Sequence, residues 1–589
     1  MRGLTDPRRG TLLALLLVFG LLWFGTLEQR RLINPDEGRY AEIPREMVAS
    51  GDWLTPRLNG FKYFEKPALQ YWATATAFSA FGEHHWTARL WPALTGFLGV
   101  LFTAFATTRL FGRQAGLLAG AILGGSLLWN VIGHINTLDM GVSAFLAGAV
   151  FALCLAQHEG TPPRESRRWL DGAWALLALA VLSKGLIGLV LPAMVAVAYA
   201  VWQRDPGFIL RIRPGRGLAI LLAITAPWFV AVSLANPEFA RFFFIHEHFE
   251  RFLTKTHGRY QPAWYFIPVL LAGMLPWLGG LLQGLAAGVR SEAGRRFQPR
   301  RFLLLWVVLV FAFFSVSGSK LASYILPIFP ALAALIGLHL KEGDAARRIA
   351  WLAWPATLIG AVALALVPFV TNFANEKVPQ ELYHAYQPWL YAGAAALCLS
   401  GLAAFQFGRR GRRVAAAFAL AFGGFAFGQG ILLGHDKLAV ANSAHDVAAA
   451  IRQQIAPGVP FFSVDTYDQS LQFYLKRTTT MVAYRDELEF GIAIEPEKFI
   501  PDLAGFERAW MAAPAAWALM SPATWEELHR KGLPMTEVLR DTRRVIVRKG
   551  QSPSPRSEGG GDDCSAAPGA PSALNQRPGP GRPCAGGKP

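Results

Sequence analysis

Charge is scarce in this chain. Acidic and basic residues make up 16% of its 589 positions, where an ordinary soluble domain carries about 25%. Polar linkers of the kind that divide a long soluble chain into domains are also missing before the C-terminal tail. Cysteine is rare. Cys154 and Cys398 sit in apolar runs, and Cys564 and Cys584 in a low-complexity tail. That excludes a disulfide framework or a zinc motif built on cysteine spacing. No phosphate-binding glycine loop or dinucleotide fingerprint is present. The glycines of 116–125 and 423–430 lie inside apolar segments, where close helix packing accounts for them.

Apolar residues are abundant, at 53%, and they cluster. Runs at 11–27, 87–108, 114–133, 138–157, 172–184, 186–202, 217–234, 263–285, 302–317, 322–340, 349–370, 388–405 and 414–432 predict about 13 transmembrane helices, several near the ~20 residues a crossing needs. The first run follows Arg2, Arg8 and Arg9 without a small-residue cleavage site, and reads as a retained anchor. The expected fold is an α-helical polytopic membrane protein with a small C-terminal α/β domain. Its parts are a transmembrane domain over 1–432, an α/β domain over 433–548, and a disordered Gly/Pro/Ser-rich tail over 549–589.

The net charge of +17 follows from arginines in the short loops between runs, so no nucleic-acid partner is expected. Loops 158–171, 203–216, 286–301, 341–348 and 406–413 hold most of them. All five fall on one side with the N-terminus only if 68–81 is an interfacial helix and not a span. The positive-inside rule favours that reading and places 28–86 and everything after 432 outside the cytoplasm. Within the segment 28–86, Tyr40, Ile43 and Met47 recur at helical spacing, which predicts an amphipathic helix on the membrane surface.

Ionisable residues at span ends collect on that outer side: Asp36 and Glu37, Glu65 and Lys66, Asp139, Lys184, Arg251 and Arg259, and Lys320 with Tyr324. Each alone is an ordinary helix-end charge. Together on one face they point to a single outward-facing site. His246, His248 and His257 share the aromatic segment 235–262. Glu65 with His246 is the weak candidate for a metal pair; no cofactor is firmly implied, and a divalent metal stays open. The run Phe242–Phe244 reads as interfacial anchoring.

The stretch Asn34-Pro35-Asp36-Glu37-Gly38-Arg39-Tyr40-Ala41-Glu42-Ile43-Pro44-Arg45-Glu46-Met47 resembles the opening motif of bacterial membrane glycosyltransferases related to protein O-mannosyltransferases. Gly51-Asp52-Trp53-Leu54-Thr55-Pro56 and Tyr63-Phe64-Glu65-Lys66-Pro67 are similar, more narrowly, to the lipid A 4-amino-4-deoxy-L-arabinose transferase family. Asn136–Met140, Ser183–Gly185, Arg259–Pro262 and Ser319–Pro327 extend the likeness over most of 10–435. The resemblance implies an inverting transferase that moves a sugar from undecaprenyl phosphate to a lipid A phosphate at the periplasmic face of the bacterial inner membrane. It implies Asp36 and Asp139 as catalytic. Residue chemistry adds Lys66, Arg251 and Tyr324 as phosphate contacts, with Glu37, Arg39, Glu65, Lys184, Arg259 and Lys320 as further substrate-binding candidates. The alternatives are a related transferase acting on a protein or glycan hydroxyl, and a lipid transporter or flippase. The absence of internal repeats and the one-sided polar cluster weigh against transport.

The topology is open to direct measurement. Single cysteines placed in a cysteine-free chain in spheroplasts should react with an impermeant thiol reagent in 433–548 and stay unlabelled in 286–301. The reverse pattern would overturn the assignment.

Overall fold

The computed structural model describes residues 9–250, 260–342 and 344–550. Within them, eight helices are long and apolar enough to cross a bilayer. Two bent pairs, Arg113–Gly125 with Leu127–Gly133 and Ala263–Gly273 with Leu278–Val289, raise that to as many as ten. Leu13–Phe24 and Ile187–Trp202 are shorter apolar helices. The expected runs 114–133 and 263–285 are therefore broken segments, bent by 62° and 113°. The run 172–184 is the second half of a longer helix, Pro163–Lys184, whose first half carries charge.

The arginine-rich loops meet at one end of the bundle. Arg211 and Arg296 share Asp205, at 2.6 and 3.3 Å. The Arg296 N–H donates to Glu159 at 2.7 Å. Arg300 bridges Glu292 and Glu342, and Arg413 donates to the Lys341 carbonyl. These contacts gather all five loops on one face.

The other end holds 28–86 and the C-terminal domain. Helix Leu69–Phe81 has 13 residues, about 20 Å at 1.5 Å each, too short to cross a ~30 Å hydrocarbon core. It packs beside helix Asp36–Ser50, which begins with two acids that favour the positive end of the helix dipole. That helix ends at Gly51, whose φ of 75° is left-handed and whose N–H caps the Met47 carbonyl.

The C-terminal domain carries a six-stranded sheet. Its strands follow the two-stranded hairpin of β1 (Arg57–Leu58) and β2 (Phe61–Lys62). They are β3 (Phe461–Val464), β4 (Thr480–Val482), β5 (Phe499–Ile500), β6 (Ala516–Met520), β7 (Thr536–Arg540) and β8 (Val545–Lys549), in the order β5-β4-β3-β6-β8-β7. The first four are parallel, and β8 and β7 add on antiparallel. Helices connect the parallel strands, as parallel pairing requires.

This domain corrects the expected position of helix Asp36–Ser50. Tyr40, Ile43 and Met47 do not face lipid. They are buried against Leu58, Phe61, Tyr63 and Tyr71 from one side and Tyr467, Met481, Leu488 and Ile492 of the C-terminal domain from the other. Their helical spacing was an apolar stripe for a protein partner. Polar contacts fasten the same joint. Asn59 and Thr479 exchange backbone and side-chain bonds at 2.9 and 2.7 Å, Arg57 pairs with Glu495 at 2.9 Å, and the Asn34 side chain accepts from the Ser470 N–H.

The tightest approach is at Gly38. A Cβ there would lie 2.6–2.7 Å from the backbone of Gln469 and Ser470. Gly38→Ala should therefore separate the helix from the C-terminal domain and destabilise the protein by about 1–3 kcal/mol, the usual cost of overpacking. A lowered thermal transition in detergent is the expected result. An unchanged transition would mean that the joint yields freely.

Candidate active site

Two antiparallel helices bring the first carboxylate and the first cation together. Asp139 opens helix Asp139–Gln157, and Lys184 closes helix Pro163–Lys184. The turn between them lies at the arginine-rich end, so the start of one and the finish of the other meet at the opposite end. Each charge suits its helix terminus. The Lys184 ammonium is bonded to Asp139 Oδ1. The Ser323 hydroxyl donates to Asp139 Oδ2 at 2.8 Å. The Lys184 ammonium also sits over the Tyr324 ring, 4.5 Å from its centroid.

Asp36 stands at the start of its helix, half exposed, with the Arg39 guanidinium 3.4 Å away. Arg39 is buried and also bonds the Tyr63 hydroxyl at 3.1 Å and Glu487 of the C-terminal domain at 3.0 Å. Lys66 donates to the Glu65 carbonyl at 2.7 Å and to Glu247 at 3.0 Å.

These groups share one cavity of about 440 Å3. Asp36, Arg39, Glu65, Lys66, Asp139, Lys184 and Tyr324 all line it. Its other wall is apolar, made by Leu146, Ile187, Val190, Phe313 and Phe314 between the bundle helices. The mouth carries charges of both signs and the depth suits a hydrocarbon chain.

Two candidates stand elsewhere. Glu37 is fully buried behind the cavity and grips Arg89 through two bonds of 2.7 and 2.9 Å. It also accepts the Asn136 and Ile33 N–H groups. Burial alone would push its carboxyl up, but Arg89, Arg30 and these hydrogen bonds outweigh it and hold the group down at about 2. Glu37 is thus a structural anion. Lys320 turns its ammonium to the carbonyls of Gln261 and Ser317 and stays out of the cavity lining, so it ties two loops together. Arg251, Arg259 and His257 lie outside the described residues.

The segment Arg241–Glu250 departs from the expected headgroup anchor. Phe242 stacks on Phe490 of the C-terminal domain, with centroids 3.8 Å apart, and Phe243 is buried with Trp228 and Phe239. The rings are taken up by protein, Phe242 by the C-terminal domain and Phe243 and Phe244 by Phe229 and Phe239 of the bundle side. His246 stacks on Phe242 and lies 3.7 Å from Glu247. No three histidines, cysteines or carboxylates converge as a metal centre among the described residues.

Glu247 and Ser323 were not singled out from the sequence. Glu247 lay among the aromatic residues, where its one carboxylate carried no spacing signal. Ser323 lay within the recognised Ser319–Pro327 motif, but a serine there has many structural uses.

A helical membrane bundle that opens a mixed-charge, half-apolar cavity beside an acidic interfacial helix has the build of a membrane glycosyltransferase that draws sugar from a polyprenyl phosphate. The profile of the dolichyl-phosphate-mannose-protein mannosyltransferases matches 65–230, and that of the aminoarabinose transferase C-terminal domain matches 447–549. The undecaprenyl phosphate-alpha-4-amino-4-deoxy-L-arabinose arabinosyl transferase of Aeromonas salmonicida is 37% identical over 400 residues, 65% of this chain and 71% of its own. A namesake from Sodalis glossinidius is 40% identical over 349 residues, 56% of this chain and 59% of its own. The crystal structure of ArnT from Cupriavidus metallidurans bound to undecaprenyl phosphate superimposes with a TM-score of 0.87 at 36% identity, covering 92% of this chain and 98% of that one. The chain belongs to the undecaprenyl phosphate-aminoarabinose arabinosyl transferase family.

A buried acid near the end of helix Asp36–Ser50 makes stability depend on pH. Burial and the neighbouring Glu42 push the Glu46 carboxyl from 4.5 up to about 8. Between those values the folded chain holds a proton that the unfolded chain has released, so stability falls as pH rises. Glu46→Gln keeps an acceptor for the Gly60 N–H that Glu46 now binds at 2.9 Å. The variant should flatten the decline in thermal transition between about pH 5 and 8. The same slope in both proteins would remove Glu46 as its source.

Proposed function

We propose that this protein transfers 4-amino-4-deoxy-L-arabinose from undecaprenyl phosphate to a phosphate of lipid A, with inversion at the anomeric carbon. The transfer takes place at the periplasmic face of the bacterial inner membrane. The observation that carries this reading is the shared cavity, with Asp36, Lys66, Asp139 and Lys184 at one mouth above an apolar wall. The donor assignment has further support from the names of the relatives and from the undecaprenyl phosphate bound in the Cupriavidus structure. The orientation rests on the arginine-rich end facing the cytoplasm.

In this mechanism an oxygen of the acceptor phosphate forms a bond to the anomeric carbon. The bond from that carbon to the donor phosphate oxygen breaks, and undecaprenyl phosphate leaves with the electron pair. An acceptor phosphate is already anionic at neutral pH, so no strong general base is needed. Asp36, half exposed at the mouth, orients the sugar amine and offsets positive charge developing on the ring. Asp139 is fixed between Lys184 and Ser323 and presents its charge to the same space. Lys66, with Arg251 and Tyr324, receives the donor phosphate as it gains charge. To do so, Lys66 must share its ammonium between Glu247 and the phosphate.

Asp36→Asn and Asp139→Asn should leave the folded protein in the membrane and lower transfer by about a hundredfold or more, the scale of a positioned catalytic group. Lys66→Ala should weaken donor binding and slow single turnover by a larger factor, because the leaving phosphate carries more charge in the transition state. Single-turnover transfer in nanodiscs, with mass spectrometry of lipid A from cells, reads each effect. Wild-type turnover by folded Asp139→Asn would remove that residue from the mechanism. Unmodified lipid A in cells that make the wild-type protein and the donor would overturn the acceptor.

A further inference from the structure

A second cavity, of about 580 Å3, opens at the arginine-rich end of the bundle, across the molecule from the catalytic cavity. Arg167, Arg211, Arg213 and Arg296 line it. Asp205 neutralises Arg211 and Arg296. Glu159, the acid of the lining, accepts the Arg296 backbone N–H. Arg167 and Arg213 make no ion pair or side-chain hydrogen bond among the described residues; the neighbouring Asp171 is engaged by Arg216 at 2.8 Å. Two guanidinium groups without a contact partner therefore border one pocket, Arg213 keeping only a longer-range attraction to Asp171.

Its floor is apolar. Ala156, Leu170 and Phe297, all buried, form it, and Phe297 is held from behind by Phe208, with stacked rings 6.0 Å apart. Arg213 is also the N-cap of helix Pro214–Ala235. A shallow strip of Ala219, Leu222, Ala223, Ala226, Val230 and Leu234 runs along that helix. It begins six residues past Arg213, about 9 Å down the axis. Leu222, Val230 and Leu234 are exposed, as befits a lipid-facing surface.

We propose that this pocket binds the phosphate of an anionic glycerophospholipid in the leaflet opposite the catalytic cavity, with an acyl chain lying along the strip of helix Pro214–Ala235. Guanidinium groups hold phosphate through short, charge-assisted, paired hydrogen bonds. Basic pockets between membrane helices suit acidic headgroups for that reason. A soluble phosphate matches the two arginines but leaves the apolar strip unused. A zwitterionic lipid brings its own cation, which competes with the arginines for the phosphate.

The test uses the full chain in detergent, offered equal amounts of phosphatidylglycerol and phosphatidylcholine, with retained lipid counted by native mass spectrometry. Wild-type protein should keep phosphatidylglycerol in preference. R167Q/R213Q should lower that retention on the order of tenfold, the scale of removing two interfacial arginines. R409Q/R410Q removes the same charge from another loop of that end and should leave retention unchanged. Ala226→Trp, which fills the strip, should also lower it. The single variants R167Q and R213Q read the same effect if the double variant does not fold. Equal loss in R409Q/R410Q would reduce the binding to general surface charge and overturn the proposal. Displacement by millimolar inorganic phosphate, together with no effect of Ala226→Trp, would assign the pocket to a soluble anion and overturn the lipid.

Discussion

The buried pair of Glu37 and Arg89 is the interaction on which the site depends. Both side chains are fully buried, and an ion pair taken out of water survives only when its remaining valences are filled. Here they are. Beyond the two bonds to Glu37, Arg89 donates to the carbonyls of Leu27, Arg30 and Arg31. Glu37 accepts the N–H of Asn136. The pair thus fastens the exit of the first helix, the start of helix Asp36–Ser50 and the loop before Asp139. Asp36 is the neighbour of Glu37, and Asp139 follows Asn136 by three residues. One structural ion pair fixes the backbone beneath Asp36 and Asp139 together. Removing either partner would strand a buried charge, at a cost of about 3–5 kcal/mol.

Around this anchor the cavity is assembled from helix ends. The Asp139–Gln157 and Pro163–Lys184 hairpin supplies one acid and one base, while the short helical turn Ala322–Ile328 supplies Ser323 and Tyr324. Side chains at helix termini can be charged without exposing the helix interior, and their dipoles favour the signs found here. The apolar wall comes from the mid-portions of the same bundle, so polar chemistry and lipid accommodation need no separate domain.

Much of this was legible in the sequence. The apolar runs marked the bundle, the arginine bias marked its two ends, and the segment 433–548 read as a small α/β domain. Asp36, Lys66, Asp139 and Lys184 were visible as charges at the ends of apolar runs, and the family motifs reinforced them. Other features had no local signal. Asp36 and Glu37 are adjacent acids, and only tertiary packing decides which turns inward to Arg89. The spacing of Tyr40, Ile43 and Met47 gave the helix but not its cover, since lipid and protein partners ask for the same stripe. Strand β7 carries no clear signal because it is an edge with mixed polarity, and β5 because two residues carry no period.

The burial of helix Asp36–Ser50 on both sides bears on how such proteins can be recombined. Its Gly38 touches the backbone of the C-terminal domain, and its Arg39 reaches from the cavity to Glu487. The helix is a party wall, owned jointly by the bundle and the sheet. A chimaera that joined this bundle to a foreign C-terminal domain would inherit a wall cut for another house. Exchange between relatives has to carry helix and sheet together, and the chain's two halves are free to diverge only in step.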